Sequence, residues 1–414
     1  MMGNLRRLSV GASALAIALA SMTACTTKTG SKSSSDSGPL EIGLVVTLSG
    51  AYAEIGQSHE AGAKLAVQQI NAEGGIDGHQ VKLVVKDEAG DPNTSVQRAR
   101  ELIGSGVKLI AGYTVDPDCL AASPVISGAG GVLLGLSCQG DSLTEDKLEP
   151  GYFQIAPSNQ MLSAATAKVA AKSGMKDWQG LGPDYDYGHE VWSNFTADLH
   201  KDDPSAKLGK AAYVPLTSTD TTPYINSLTS ALSADSAKHT GLYMSTFAAT
   251  TIALAKQGKA YNFFSKYGSV LNVGGSTPTA EALGVDTPPM TFIYDYFDGA
   301  YQNATNTKFV DGYHKAYGAS KRPNGWAYEG YTDMLAFKAA ADKAGSTDPT
   351  KIREALAGMT FDTPKGPLTF RKEDHLPQTP VTSWSVVGDA KSPGGFKITS
   401  AEAIPADEVM PAAK

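Results

Sequence analysis

"LEIGLVVTLSGAYAEIGQSHEAGAKLAVQQINAEGGIDGHQVKLVVKDEAGDP" occupies residues 40–92. It opens with a nearly continuous apolar run, Leu40 to Gly50, that ends in a turn and predicts a strand covered on both faces. Ala63, Ala66, Val67 and Ile70 then recur at helical spacing, and Gly74-Gly75 stop the helix. "HQVKLVVKDEAGDP" returns to a strand and a turn. Strand, helix and strand in succession predict a parallel α/β sheet.

The pattern continues outward from this unit. "NTSVQRARELIGSG" reads as a helix capped from the Asn93/Thr94 region, and "VKLIAGY" and "GVLLGLS" as further strands with Pro117 to Ser127 between them. The alternation restarts after Pro157. "MLSAATAKVAAKSG", "EVWSNFTADLHKD" and "TPYINSLTSALSA" read as helices, "AAYVPL", "HTGLYMST" and "SVLNVGG" as strands, with a helix through Ile252 to Gly258. One expected strand is poor, because "DWQGLGPDYDYG" offers little beyond Trp178 and Leu181. "MTFIYDYF" predicts a strand, "GWAYEGYTDMLAFKAAADKAG" a long helix, and "DPTKIREALAGM" a short one behind an Asp-Pro cap. "GPLTFR" and "VTSWSVVG" close the chain as strands.

The N-terminus has a different character. Arg6-Arg7, an uncharged run from Leu8 to Ala20 and small residues up to Cys25 have the layout of a secretory signal, too short to span a bilayer. "MTAC" resembles the bacterial lipobox, which implies cleavage after residue 24 and a lipid on Cys25. "TTKTGSKSSSDSGP" (residues 26–39) is a Ser/Thr/Gly tether with nothing to bury. No later stretch is long and apolar enough to cross a membrane. The remaining ~370 residues suggest two lobes. The formal charge is −7 and the basic residues are scattered, so nucleic acid is not an expected partner. Of three cysteines, Cys119 and Cys138 remain; in an oxidising compartment they are expected to pair, and two buried thiols are the alternative.

"IGLVVTLSG", "GAKLAVQQINAEGGIDGHQVKLVVKDEAGDP", "YDYG" and "GPLTFRKEDH", in this order, resemble the leucine/isoleucine/valine-binding type of periplasmic substrate-binding protein, which feeds ABC importers. The resemblance covers Leu40 to about Gly388 and implies a type I periplasmic-binding fold: two Rossmann-like α/β lobes, each a parallel sheet with helices on both faces, joined by three crossings. The crossings fall near Ala156-Pro157, Tyr294 to Phe297 and Phe361 to Gly366. Residues 40–156 plus 295–361 would form lobe 1, residues 157–294 plus 362–404 lobe 2, and residues 405–414 a tail. A ligand would sit between the lobes, where strand ends and helix N-termini converge, and closure about the crossings would bury it.

The resemblance also implies the binding residues. In "GYTVDPDCLAAS", Asp116 stands where amino-acid binders carry a serine for the α-carboxylate. An anion there would meet repulsion from Asp116 and Asp118, unless Asp116 caps its own helix and points away. Ser137 and Gln139 in "GLSCQGDSLT" fall where the family presents polar groups, and a Cys119–Cys138 bond would tie the two loops together. Tyr187 matches the family's Tyr-Gly, whose ring closes over the ligand. Thr246 and Phe247 supply another strand end. Ser276 replaces the acid that relatives use for the ammonium. Ile55 stands where relatives carry an aromatic ring, with Tyr52 able to compensate; Tyr113 would add a flat surface. Trp326, Tyr328 and Tyr331 are expected to pack the helix rather than touch ligand. Three ligand classes remain open: an amino acid in another orientation, an amide or urea-like compound, or a small aromatic or cationic metabolite.

Rival readings have less support. Seven histidines are dispersed without a metal pattern, there is no Gly-x-Ser-x-Gly elbow, and the glycines of "SGAGGVLLG" open a strand instead of a helix. Asp184, Asp186 and Glu190 lack the third early ligand and distant glutamate of a calcium loop. No cofactor or metal is expected, and the expected state is a monomer, held at the cell membrane and serving ABC permease subunits. A ligand sensor coupled to a signalling partner is the alternative.

Overall fold

The computed structural model describes residues 38–215 and 218–413, so the leader, Cys25 and nearly all of the expected tether lie outside the described residues. The chain begins with β1 (Leu40–Val46), α1 (Ala53–Ala72), β2 (Val81–Asp87), α2 (Pro92–Gly104), β3 (Leu109–Gly112), α3 (Asp116–Gly128), β4 (Val132–Gly135) and β5 (Tyr152–Gln154). The five strands form a parallel sheet in the order β2-β1-β3-β4-β5. Gly43, Leu44 and Val45 of β1 pair with Ile110, Ala111 and Gly112 of β3, which sets the central register. The cap of α2 lies earlier than expected: Asp91 accepts from the Thr94 amide at 2.8 Å, and Pro92 takes the first helical position, where no N–H is needed.

After Ala156-Pro157 the chain enters a second core with α4 (Asn159–Lys172), β6 (Asp177–Pro183), α5 (Asp186–Asp202), β7 (Lys207–Val214), α6 (Thr222–Thr229), β8 (Thr240–Met244), α7 (Ala248–Lys259), β9 (Ser269–Val273), α8 (Thr277–Leu283) and β10 (Met290–Tyr294). It then returns to the first core with α9 (Ala304–Tyr317), α10 (Gly325–Ala344), α11 (Pro349–Leu356), β11 (Thr360–Thr363) and β12 (Gly366–Phe370). β13 (Pro377–Gln378), β14 (Val381–Gly388), β15 (Phe396–Ile404) and α12 (Ala406–Val409) complete it. The second sheet runs β15-β14-β10-β9-β8-β6-β7, parallel except where β14 meets β10 and β15.

Three features depart from the sequence expectation. Phe361, Leu368 and Phe370 are buried in the first core, whereas Leu376 and Val381 belong to the second, so the third passage falls near 376–381 and not at 361–366. The reason is aromatic packing: Phe370 lies edge-on to Phe153 at 5.5 Å and His375 stacks on Phe153 at 3.9 Å, which holds this hairpin on the first sheet. The poor strand is β6, between β7 and β8; a Cβ on Gly180 would lie 2.7 Å from the Trp192 ring, so the missing side chain is what lets that ring cover the sheet. β15 leaves little mark in the sequence pattern, because it is an edge strand whose residues are mostly exposed. The tail is docked too, with Val409 buried in the second core and Arg371 Nη1 donating to Pro411 O at 2.8 Å.

One helix crossing positions the site from below. A Cβ on Gly62 of α1 would fall 1.8 Å from Ala327 O of α10, and one on Gly330 would fall 2.1 Å from His59 O. Only residues without a Cβ permit this approach, and it presses His59 against Glu329 in the interior.

Candidate functional site

The carboxyl ends of both sheets converge on a narrow, partly open cavity. Ile55 of α1, Thr114, Val115 and Asp116 after β3, Ser137 and Gln139 after β4, and Trp326 of α10 line one side; Tyr185, Tyr187, Phe247, Gly274 and Tyr294 come from the other. This is where an open parallel sheet leaves a crevice, with α3, α5 and α7 starting at its rim. Tyr185 stacks on Tyr187 at 5.8 Å, Phe247 lies edge-on to Tyr187 at 6.1 Å, and the Tyr187 hydroxyl donates to Val273 O at 3.3 Å. The rings thus hold one another in place around the cavity.

Of the residues expected from sequence, Asp116, Ser137, Gln139, Tyr187 and Phe247 line this cavity. Tyr52 and Thr246 do not; they line a neighbouring hollow behind Phe247, whose ring is 5.8 Å from that of Tyr52, and the Thr246 hydroxyl is paired with Thr251 at 2.9 Å. Tyr113 is wholly buried among α2 and α3 residues with its hydroxyl donating to Ser95 O at 3.4 Å. The alternation of an extended chain sends Tyr113 to one side and Thr114 to the cavity side. Ser276 precedes α8 and faces Thr279 at 3.3 Å, while Gly274 takes the place at the wall. Trp326 corrects the expectation of mere helix packing: it lines the cavity and its Nε1–H donates to the Tyr294 hydroxyl at 3.2 Å. Tyr328 packs as expected, stacked on Tyr296 at 5.0 Å.

Below the cavity lies a buried polar network. Glu329 Oε2 accepts from Ser137 Oγ at 2.6 Å and meets His59 Nε2 at 2.9 Å; Glu329 Oε1 accepts from the Tyr294 hydroxyl at 3.1 Å. Ser137 Oγ is also 3.0 Å from His59 Nε2. Serine, histidine and glutamate in contact look like a hydrolytic relay, but the geometry is wrong for one. A relay needs the serine on one ring nitrogen and the acid on the other, whereas here both occupy Nε2 and the buried Nδ1 has no partner. The network fixes the floor and links it to Tyr294 at the second passage between the cores.

Asp116 is the charged member of the lining. Its Oδ1 accepts from the Gln139 amide at 2.7 Å and the Gly140 amide at 2.9 Å, so it holds the loop after β4 and does not cap its own helix. Burial pushes its pKa up to about 6 against the pull of those two amides. The Gln139 side chain donates to Pro157 O at 3.1 Å, at the first passage. Behind Asp116, Asp141 accepts from the Gln160 amide at 3.0 Å and from Asn194 at 2.8 Å, while Asn159 donates to Glu190. Burial, then mutual repulsion, raises Asp141 to about 7, and burial raises Glu190 as well. On the other side of α3, burial and the neighbouring Glu88 raise Asp118 to about 9. Cys119 and Cys138 are disulfide-bonded, joining the first turn of α3 to the loop that carries Ser137 and Gln139.

Among the described residues, no group of three or more His, Cys, Asp or Glu side chains is placed to hold a metal ion, and no helix is long and apolar enough to cross a membrane. The periplasmic binding protein family matches residues 39–391. The chain belongs to that family. A leucine-, isoleucine-, valine-, threonine- and alanine-binding protein of Pseudomonas aeruginosa is 25% identical over 338 residues, covering 81% of this chain and 87% of the relative. A solute-binding protein of an ABC transporter from Rhodopseudomonas palustris, solved with 3,4-dihydroxybenzoic acid, superposes with a TM-score of 0.79 at 22% identity, covering 89% of this chain and 98% of that one. A leucine-binding protein from Thermotoga maritima superposes at 0.76 with 19% identity, covering 89% and 99%. These likenesses establish the two-lobed α/β fold of this periplasmic binding protein.

Proposed function

We propose that this periplasmic binding protein is the solute-capturing component of an ABC importer. It takes a small polar metabolite into the cleft between its lobes, closes over it, and delivers it unchanged to membrane permease subunits. The lipobox-like "MTAC" supports an extracytoplasmic chain anchored through a lipid on Cys25, with the following residues as a tether. The observation that carries the reading is a cavity walled from both lobes, where aromatic rings, Trp326 from one lobe and Tyr187 and Phe247 from the other, stand beside the polar groups of Asp116, Ser137 and Gln139. The His59–Glu329–Ser137 network, with both partners on one nitrogen, supports binding without catalysis.

The test is native mass spectrometry of the purified chain, then denaturation and identification of what is released. One small molecule per chain, recovered unchanged, is the expected result. A molecule converted on incubation with the protein would replace this reading with an enzymatic one.

A further inference from the structure

The cavity is unusual in its charge. Asp116 is the charged side chain of its lining, and among the described residues no basic side chain lines it. The remaining wall is dominated by aromatic faces, Tyr185, Tyr187, Phe247 and Trp326, whose negative quadrupoles attract cations. The groups behind the wall reinforce that sign. Asp141 and Glu190 stand behind Asp116, and Glu329 behind Ser137. The buried Lys365 ammonium is engaged elsewhere, held by Asp295 and Pro380 O where the chain passes between the cores. The start of α3 would otherwise favour an anion, but Asp116 occupies its first turn and opposes that potential.

Building on the solute-binding reading, we propose that Asp116 selects the ligand: the cleft takes a small organic cation, a protonated amine on an apolar or flat body without a carboxylate. The ammonium pairs with the Asp116 carboxylate, and the rings of Tyr187, Phe247 and Trp326 cover the body. A carboxylate placed there would face a like charge in a water-poor site.

The experiment is calorimetric titration with matched sets: benzylamine, benzamide and benzoate; isopentylamine, isovaleramide and isovalerate; and the zwitterions leucine and phenylalanine. At pH 8 an amine is expected to bind at least about tenfold tighter than its matched carboxylate and than either zwitterion. Asp116→Asn retains an oxygen for the Gln139 and Gly140 amides. It is expected to abolish that preference, and a cooperative melting transition followed by circular dichroism reports that the variant is folded. The wild type supplies an independent readout. The titratable groups facing Asp116 are Asp141, Glu190, Tyr152, Tyr185 and Tyr187. The tyrosines stay neutral because burial raises them, and the acids lose negative charge together as pH falls. Amine affinity therefore weakens and carboxylate affinity strengthens between pH 8 and 5, while the amines remain protonated.

A carboxylate or zwitterion that binds as tightly as the amine, or a preference unchanged in Asp116→Asn, overturns the selection and leaves the solute-binding reading intact. A chain that binds none of these compounds and releases no small molecule on denaturation overturns both.

Discussion

The Cys119–Cys138 bond closes a loop with a sequence separation of 19 residues. Joining the ends of such a loop removes about 11 cal/mol/K of entropy from the unfolded chain, or ~3 kcal/mol at 25 °C. Both cysteines are fully buried, so replacing them by alanine also forfeits sulfur packing, adding about 1 kcal/mol or more. With an unfolding entropy of roughly 2 cal/mol/K per residue over the whole folded chain, the loop contribution alone corresponds to a Tm lower by about 4 °C. Differential scanning calorimetry of Cys119→Ala/Cys138→Ala reads the sum, and wild type refolded in reductant isolates the loop contribution. Ligand affinity should fall as well, because Cys138 stands between Ser137 and Gln139 and Cys119 one turn beyond Asp116. Labelling of both thiols by an alkylating agent without reductant would refute the pairing. A double variant melting within about 1 °C of wild type would refute the energetic argument.

Other expectations follow from single contacts. Tyr187→Ala removes a ring from the cavity wall and should weaken binding at least about tenfold by calorimetry, whereas Tyr187→Phe loses only the bond to Val273 O, about 1 kcal/mol of stability. Equal affinity in Tyr187→Ala would take this ring out of the site. Gly62→Ala forces a methyl group into Ala327 O, so the helices must separate and urea denaturation should show a loss of about 3 kcal/mol or more; a variant as stable as wild type would mean that α1 and α10 pack less closely. Asp141 has its pKa raised on folding, so it destabilises the folded state once pH exceeds the ordinary carboxylate value of about 4, with the full penalty reached above about 7. Asp141→Asn is therefore expected to be more stable than wild type at pH 8 by up to a few kcal/mol, with the gain fading towards pH 4. A stability difference that does not vary with pH would show that Asp141 is not held as a buried, repelled acid.

The departures from expectation share a physical origin. β6 carries a weak apolar pattern because Gly180 makes room for the Trp192 ring and Gly182 for the Ser245 hydroxyl, contacts that the local pattern does not encode. Trp326 looked like helix packing because its neighbours Tyr328 and Tyr331 do pack in the first core. Its own direction is set by the Tyr294 hydroxyl, which arrives from the other lobe. Tyr113 lies one residue of alternation from the position that reaches the cavity, and Thr114 takes that position.

Local sequence determined the class of structure. Apolar runs buried on both faces, helices with spaced apolar positions and glycine or Asp-Pro boundaries are set by contacts within a few residues, and they specified parallel α/β lobes. Motif order placed Asp116, Ser137, Gln139, Tyr187 and Phe247 at strand ends, which is where an open sheet exposes its residues. The composition of the cavity was decided only in three dimensions. Trp326 and Tyr294 join the wall because Gly62 and Gly330 let α1 and α10 meet and because the chain passes three times between the cores. The direction of Asp116 depends on two amides that reach it from the loop after β4. Such contacts form between segments that periodicity treats as independent, so the side chains that meet in the cleft follow from packing rather than from local pattern.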